Sequence, residues 1–339
     1  MIKKEEITVN KSHWENMNSD ELEIFANKIF QYYRENGFPY FPTDIESRMK
    51  DFNTLKKFDF SNIIQDDVVN QTMHGLGLAW SYFPHAFEVK CGNKMTPYEA
   101  FIDDEIFMRV IRRRLKMGTY ISDSGIRKML KLFSNVQSVS NFRPTAAAAI
   151  YNTFAKNGVV WDMSGGWGGR LLGAIVSNVG KYIATEPSTK TYEGLRKLGE
   201  DFGKENKWEI YPVGSEDFLP IANSLDLCFT SPPYFNQEKY ADEPTQSYIK
   251  YPTREEWIEG FLIKTFENCH WGLKDDGLMI INIADVIGRN SIKLEEDTIK
   301  SAEKAGFKLR KKFYLALSNV NMRNKENKHK FEPMFLFTK

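Results

Sequence analysis

From residue 140 to its end the chain alternates short apolar runs with amphipathic stretches, and few folds satisfy that rhythm. Val159–Met163, Tyr182–Thr185, Trp208–Val213, Leu225–Phe229 and Leu278–Ala284 read as strands. Between them Leu171–Val176, Thr191–Phe202, Arg254–Leu273 and Glu295–Ala305 carry helical spacing, and Pro144 opens an alanine-rich helix, PTAAAAIYNTFA. Strands separated by helices through short connections predict an α/β fold, an open parallel sheet with helices on both faces. The last two strand-like runs, Phe307–Leu317 and Phe331–Phe337, have no helix between them and predict a terminal antiparallel pair.

The first 135 residues have another texture. Asn18 or Ser19 caps a helix whose apolar positions Leu22, Phe25, Ile29, Tyr32 and Tyr33 share a face, and Asn36-Gly37 stops it. Residues 104–133 predict two helices broken near Gly118. Two domains are therefore expected: a mainly helical one over 1–135 and the sheet domain over 136–339. With 339 residues and 42% hydrophobic content, both can bury a core.

Charge gives little direction globally, since the net is +1. Locally, FMRVIRRRLKMGTY holds Arg112, Arg113, Arg114 and Lys116 with no acid, and residues 319–330 (NVNMRNKENKHK) form a basic stretch with Lys325 and Lys328. Each is either a solvated face or a set of phosphate contacts. Cys91, Cys228 and Cys269 are isolated from one another, which argues against a disulfide framework or a zinc cluster and fits a reducing compartment. The N-terminus lacks the apolar core of a secretion signal, so a cytoplasmic location is expected.

The first strand runs into a glycine-rich turn and then a helix, VVWDMSGGWGGRLLGAI (159–175). Such a turn brings backbone close to a ligand at a helix N-terminus. A phosphate loop would need Gly-Lys-Ser/Thr, whereas Gly169 precedes Arg170-Leu171. A dinucleotide turn would need a third glycine that Gly166-x-Gly168 lacks. A third reading is an S-adenosylmethionine site, with Ser164, Gly165, Gly166 and Gly168 as its cradle and Asp162 holding the ammonium group, and a fourth is a glycine turn that serves packing alone. Glu186, at the end of the next strand, is placed to accept from ribose hydroxyls. Glu216 or Asp217, after the third, could reach an adenine amine.

Immediately after Leu225–Phe229 stands TSPPYFNQEKY. Two prolines end any sheet or helix, remove two donors and stiffen an extended lip. Ser231 supplies a hydroxyl there, and Tyr234 and Phe235 supply rings.

Together these segments resemble the amino-methyltransferases of DNA, which methylate cytosine N4 or adenine N6. Ser231-Pro232-Pro233-Tyr234 resembles their catalytic motif and DMSGGWGG their cofactor turn. SNFRPTAAAA resembles the segment closing over the methionine end of the cofactor, which implicates Phe142 and Thr145. The resemblance covers roughly residues 138–339. It departs from the family at Trp167 and Arg170, where smaller residues are usual. It implies a Rossmann-like seven-stranded methyltransferase sheet, S-adenosylmethionine as cofactor, double-stranded DNA as partner, and a stand-alone site-specific enzyme with no metal. With no room for a target-reading domain between the two motifs, the N-terminal region is the candidate reader.

In this reading the Pro232 carbonyl and Ser231 accept hydrogen bonds from the target amine, and the base is flipped out to stack on Tyr234, with Phe235 a second candidate. Serine at the head of the motif leans toward cytosine N4. The other readings are an RNA amino-methyltransferase and a non-catalytic DNA-binding protein that keeps the fold.

Overall fold

The structure, a computed structural model, describes residues 2–133, 135–287, 291–317 and 331–339. It divides into two compact units. One comprises residues 1–41 and 84–140, the other residues 42–83 and 141–339. The expected boundary near 135 thus differs in one respect: residues 42–83 cluster with the sheet.

The first unit is helical. Asn18 caps the helix Ser19–Asn36 by accepting from Asp20 N and Glu21 N, and Gly37 ends it at φ +81°. The helices Pro97–Ile102, Asp104–Met117 and Asp123–Leu132 complete it. Their apolar faces meet around Phe25, Ile29, Tyr33, Phe107, Val110, Ile111 and Ile126, all buried.

The second unit is built on a nine-stranded sheet. Its strands are β1 (Ile64–Gln65), β2 (Val68–Val69), β3 (Val159–Asp162), β4 (Lys181–Thr185), β5 (Trp208–Tyr211), β6 (Leu225–Thr230), β7 (Leu273–Asn282), β8 (Lys308–Ala316) and β9 (Phe331–Thr338). Their spatial order is β1-β2-β8-β9-β7-β6-β3-β4-β5. β3, β4, β5, β6 and β7 pair in parallel, while β9 runs antiparallel to both β7 and β8. The expected Rossmann-like seven-stranded sheet with its antiparallel end is present. Two short strands from residues 42–83 extend it, β2 pairing parallel to β8.

This order fixes where a ligand can sit. The chain runs outward from β3 to β4 and β5, then returns to place β6 on the other side of β3. The crevice where the order reverses, at the carboxyl ends of β3 and β6, is the position at which open α/β sheets bind ligands. The glycine turn follows β3 and the Ser-Pro-Pro-Tyr segment follows β6, so both emerge there.

Packing around the turn is tight. Residues 141–145 lie across it, Asn141 donating to the Trp167 carbonyl at 2.8 Å. A Cβ built on Gly169 would lie 1.8 Å from the Phe142 carbonyl oxygen. Gly169→Ala is therefore expected to cost about 3 kcal/mol of stability through forced backbone displacement, read as a lower urea midpoint.

Candidate active site

Asp162 ends β3 with no exposed surface. Its Oδ1 accepts from Ser164 N (3.2 Å) and Thr230 Oγ1 (2.8 Å). Its Oδ2 accepts from Arg170 Nε and Tyr182 OH, both at 2.7 Å. A carboxylate offers about four acceptor positions, so Asp162 is saturated from within. This corrects the expectation that it holds a ligand's ammonium group. Asp162 instead binds the glycine turn, β4 and the end of β6 into one piece.

The turn itself splits into an inner and an outer wall. Gly165 donates to the Thr185 carbonyl at 2.9 Å, and a Cβ on it would strike Leu195. Gly168, at φ +75°, lies against Phe83 and Leu198. Gly166, at φ +58°, is different: a Cβ there would meet only the Ser164 carbonyl at 3.5 Å and Arg170 Nη2 at 3.6 Å. Both are ordinary van der Waals distances, so Gly166 is the least crowded glycine of the turn. The Ser164 carbonyl also accepts from Arg170 Nη2.

Glu186 follows β4 and is 8% exposed. Gly166 N donates to its Oε2 at 2.9 Å and Ser188 N to its Oε1 at 3.0 Å. Burial raises its pKa to about 7, against those two backbone hydrogen bonds. One carboxylate thus sits beside Gly166 with acceptor capacity to spare.

Ser215–Asp217 forms a single turn after β5. Asn268 holds it by donating to the Ser215 and Glu216 carbonyls, both at 3.1 Å. Lys250 pairs with Glu216 at 3.0 Å and with Asp217 at 2.5 Å. Glu216 Oε2 nevertheless remains buried without a partner, and burial raises the pKa of this carboxyl. An orphaned buried acceptor fits a ligand N–H. Asp217, largely exposed, serves Lys250.

Beyond β6, the Pro232 carbonyl accepts no hydrogen bond among the described residues. Tyr234 is pinned: Ala284 N donates to its hydroxyl at 3.2 Å. Phe235 turns inward at φ +53°. It is 7% exposed and packs on the buried Trp257 with ring centroids 5.7 Å apart. Phe235 is core, which corrects its expected role as a second stacking ring. The following loop returns to the site, Glu243 accepting from Thr189 N at 3.1 Å and Thr245 donating to the Pro187 carbonyl at 3.0 Å.

Phe142 lies edge-on to Phe229 at 5.3 Å, its ring centroid 5.9 Å from the Arg170 guanidinium. Thr145 is fully buried, and its hydroxyl accepts from Thr72 N at 3.1 Å. In the helical unit, Arg112 forms a forked pair with Glu23 and Arg114 Nε donates to the Tyr120 carbonyl at 2.7 Å. Both are engaged within the chain, which corrects their placement in one basic patch. Arg113 and Lys116 are exposed. Lys325 and Lys328 lie outside the described residues.

Three participants escaped the sequence reading. Arg170 was noted only as a departure from the family. Tyr182 and Thr230 gave no signal, because strand residues carry no mark of the acid they will meet across the sheet. Among the described residues no three His, Cys, Asp or Glu side chains are grouped to hold a metal ion, and no helix is long and apolar enough to cross a membrane.

Residues 225–339 match a family model described as DNA methylase, of the N6/N4 type. That match spans Ser231–Tyr234 and bears out the resemblance in this part of the chain. No curated protein matches the sequence. Among solved structures, the chain is similar to a TehB-like SAM-dependent methyltransferase from Corynebacterium glutamicum (16% identity, 59% of this chain and 89% of that one, TM-score 0.37). It is also similar to Burkholderia thailandensis 1,6-didemethyltoxoflavin-N1-methyltransferase (12%, 57% and 76%, TM-score 0.40). A third is TYW2 from M. jannaschii in complex with AdoMet (18%, 58% and 74%, TM-score 0.36). The fold assignment rests on the sheet order itself.

Proposed function

On the premise that residues 225–339 carry the DNA methylase family model, we propose that the chain transfers a methyl group from S-adenosylmethionine to an exocyclic amine of a flipped DNA base, cytosine N4 in preference to adenine N6. One observation carries the reading: the carbonyl of Pro232, which accepts no hydrogen bond among the described residues, follows closely on Thr230, whose hydroxyl donates to Asp162 at the start of the glycine turn. An amine acceptor and a ligand cradle are thus fixed to each other.

The residues fit the cofactor. Gly166, the least crowded glycine of the turn, gives the backbone approach, Glu186 has acceptor capacity for ribose hydroxyls, and the orphaned Oε2 of Glu216 suits an adenine amine. When bound, S-adenosylmethionine supplies the activated methyl group. Everything else falls to the chain. An exocyclic amine is a weak nucleophile because its lone pair is delocalised into the ring. The Pro232 carbonyl and the Ser231 hydroxyl accept its N–H groups, localise that pair and aim it. The contribution is positioning and electrostatics. The amine sheds its extra proton after transfer, so no strong base is required. Tyr234, tied at its hydroxyl, offers its ring face to the flipped base. The helical unit, through exposed Arg113 and Lys116, is the proposed reader of the duplex.

The cofactor site carries a pH signature. Ionised Glu186 is the better acceptor, so affinity for S-adenosylhomocysteine is expected to rise with pH and level off above about 7. The fold responds oppositely. A carboxyl with raised pKa stabilises fully below its unfolded value, and that contribution is lost as pH climbs through about 7. Glu186→Gln should therefore bind about tenfold or more weakly at pH 8, with a flat pH profile, and its stability should lose the fall with pH that the carboxyl gives the parent. Titration calorimetry and urea melts at pH 5.5 and 8 check both halves.

Substrate class is tested by offering labelled S-adenosylmethionine with unmethylated duplex DNA and, separately, with RNA. Label in DNA supports the proposal. Label in RNA alone favours an RNA amino-methyltransferase. Cofactor binding with no label in either favours a non-catalytic DNA-binding protein.

A further inference from the structure

Arg170 is 6% exposed, yet its partners do not account for its whole guanidinium. Nε donates to Asp162 and Nη2 to the Ser164 carbonyl. Among the described residues Nη1 has no hydrogen-bond partner, and it is not one of the orphaned polar atoms sealed in the interior. It therefore keeps a donor that a small ligand can reach. The guanidinium borders the least crowded glycine of the turn, Nη2 lying 3.6 Å from where a Gly166 Cβ would be. Glu186 holds the same glycine by its N–H. An anionic acceptor and a cationic donor thus flank a single uncrowded stretch of backbone.

A buried cation needed only to balance Asp162 would keep no donor for a ligand. The planar fork of arginine does, and it suits a carboxylate. Ser164 and Asp162 lock its orientation before any ligand arrives. We infer that Arg170 is the receptor for the α-carboxylate of the cofactor's methionyl tail, a cofactor-specificity residue where the related enzymes usually have a small side chain. The inference rests on the S-adenosylmethionine reading above. It gives the Asp162–Arg170 pair a purpose: the acid that was expected to meet the ligand directly positions the base that does.

The test compares two ligands by titration calorimetry, S-adenosylhomocysteine and its decarboxylated analogue S-adenosyl-3-thiopropylamine. The wild-type protein is expected to prefer the first by roughly 10–100-fold, the range of a hydrogen bond to a charged group. Arg170→Gln should lose the preference and bind the two ligands with equal affinity. Should loss of the buried charge unfold that variant, Asp162→Asn/Arg170→Gln removes both charges, and Arg170→Lys should keep only part of the preference. Equal binding of the two ligands by wild type, or an undiminished preference in the Arg170 variants, overturns the inference alone. Binding of neither ligand by wild type overturns the cofactor reading, and the inference with it.

Discussion

Asp162→Ala is expected to lose about 3–5 kcal/mol of stability, the range for removing one partner of a buried ion pair. The variant leaves Arg170 charged and buried, with Tyr182 OH, Thr230 Oγ1 and Ser164 N each short of an acceptor. Burial works against the Arg170 charge; Asp162 outweighs it and holds the guanidinium pKa above its ordinary value. Asp162→Asn, which keeps the shape and one acceptor, should fall between. Asp162→Ala/Arg170→Met should recover much of the loss, because the stranded charge goes with its partner. Urea denaturation of the wild type, Asp162→Ala, Arg170→Met and the double variant gives the coupling directly. A small loss in Asp162→Ala would mean that the turn, β4 and β6 are not held through this carboxylate.

Ser231→Ala is expected to lower kcat for methyl transfer by roughly 10²–10³, the effect of removing one well-placed donor or acceptor at a reacting group, with S-adenosylhomocysteine affinity unchanged. The separation is structural. Ser231 lies on the β6 side of the crevice, while the proposed cofactor contacts follow β3, β4 and β5. Phe235→Leu is the informative control. Phe235 packs on Trp257 inside the core, so its substitution should shift the unfolding midpoint while leaving kcat close to wild type. Single-turnover rates beside equilibrium binding distinguish the two outcomes.

Sheet, helix caps and the order of segments were legible because each rests on local spacing. Asn18 and Gly37 marked both ends of their helix, and Pro144 opened its own at the first position. The parallel sheet followed from the strand–helix rhythm; the order of its strands came from the structure. What stayed hidden depends on distant partners. Nothing in VVWD reveals that Asp162 meets Tyr182 and Thr230 across two strands. Ile64–Gln65 and Val68–Val69 are too short to carry a period, so residues 42–83 read as part of the helical region. In fact Arg48 donates to Ser81 Oγ at 3.0 Å and to its carbonyl at 2.9 Å. Phe83, fully buried, fills the space left by Gly168 and Gly194. Phe235 misled for a related reason: adjacency to Tyr234 suggested a shared role, but a left-handed backbone at 235 sends the two rings apart.

Nucleoside mass spectrometry of unmethylated DNA after incubation with the protein and S-adenosylmethionine tests the central claim most directly. The account predicts N4-methylcytosine, absent from DNA treated with Ser231→Ala. Methyl groups on a ring carbon, as in 5-methylcytosine, or N4-methylcytosine formed equally well by Ser231→Ala, would contradict it.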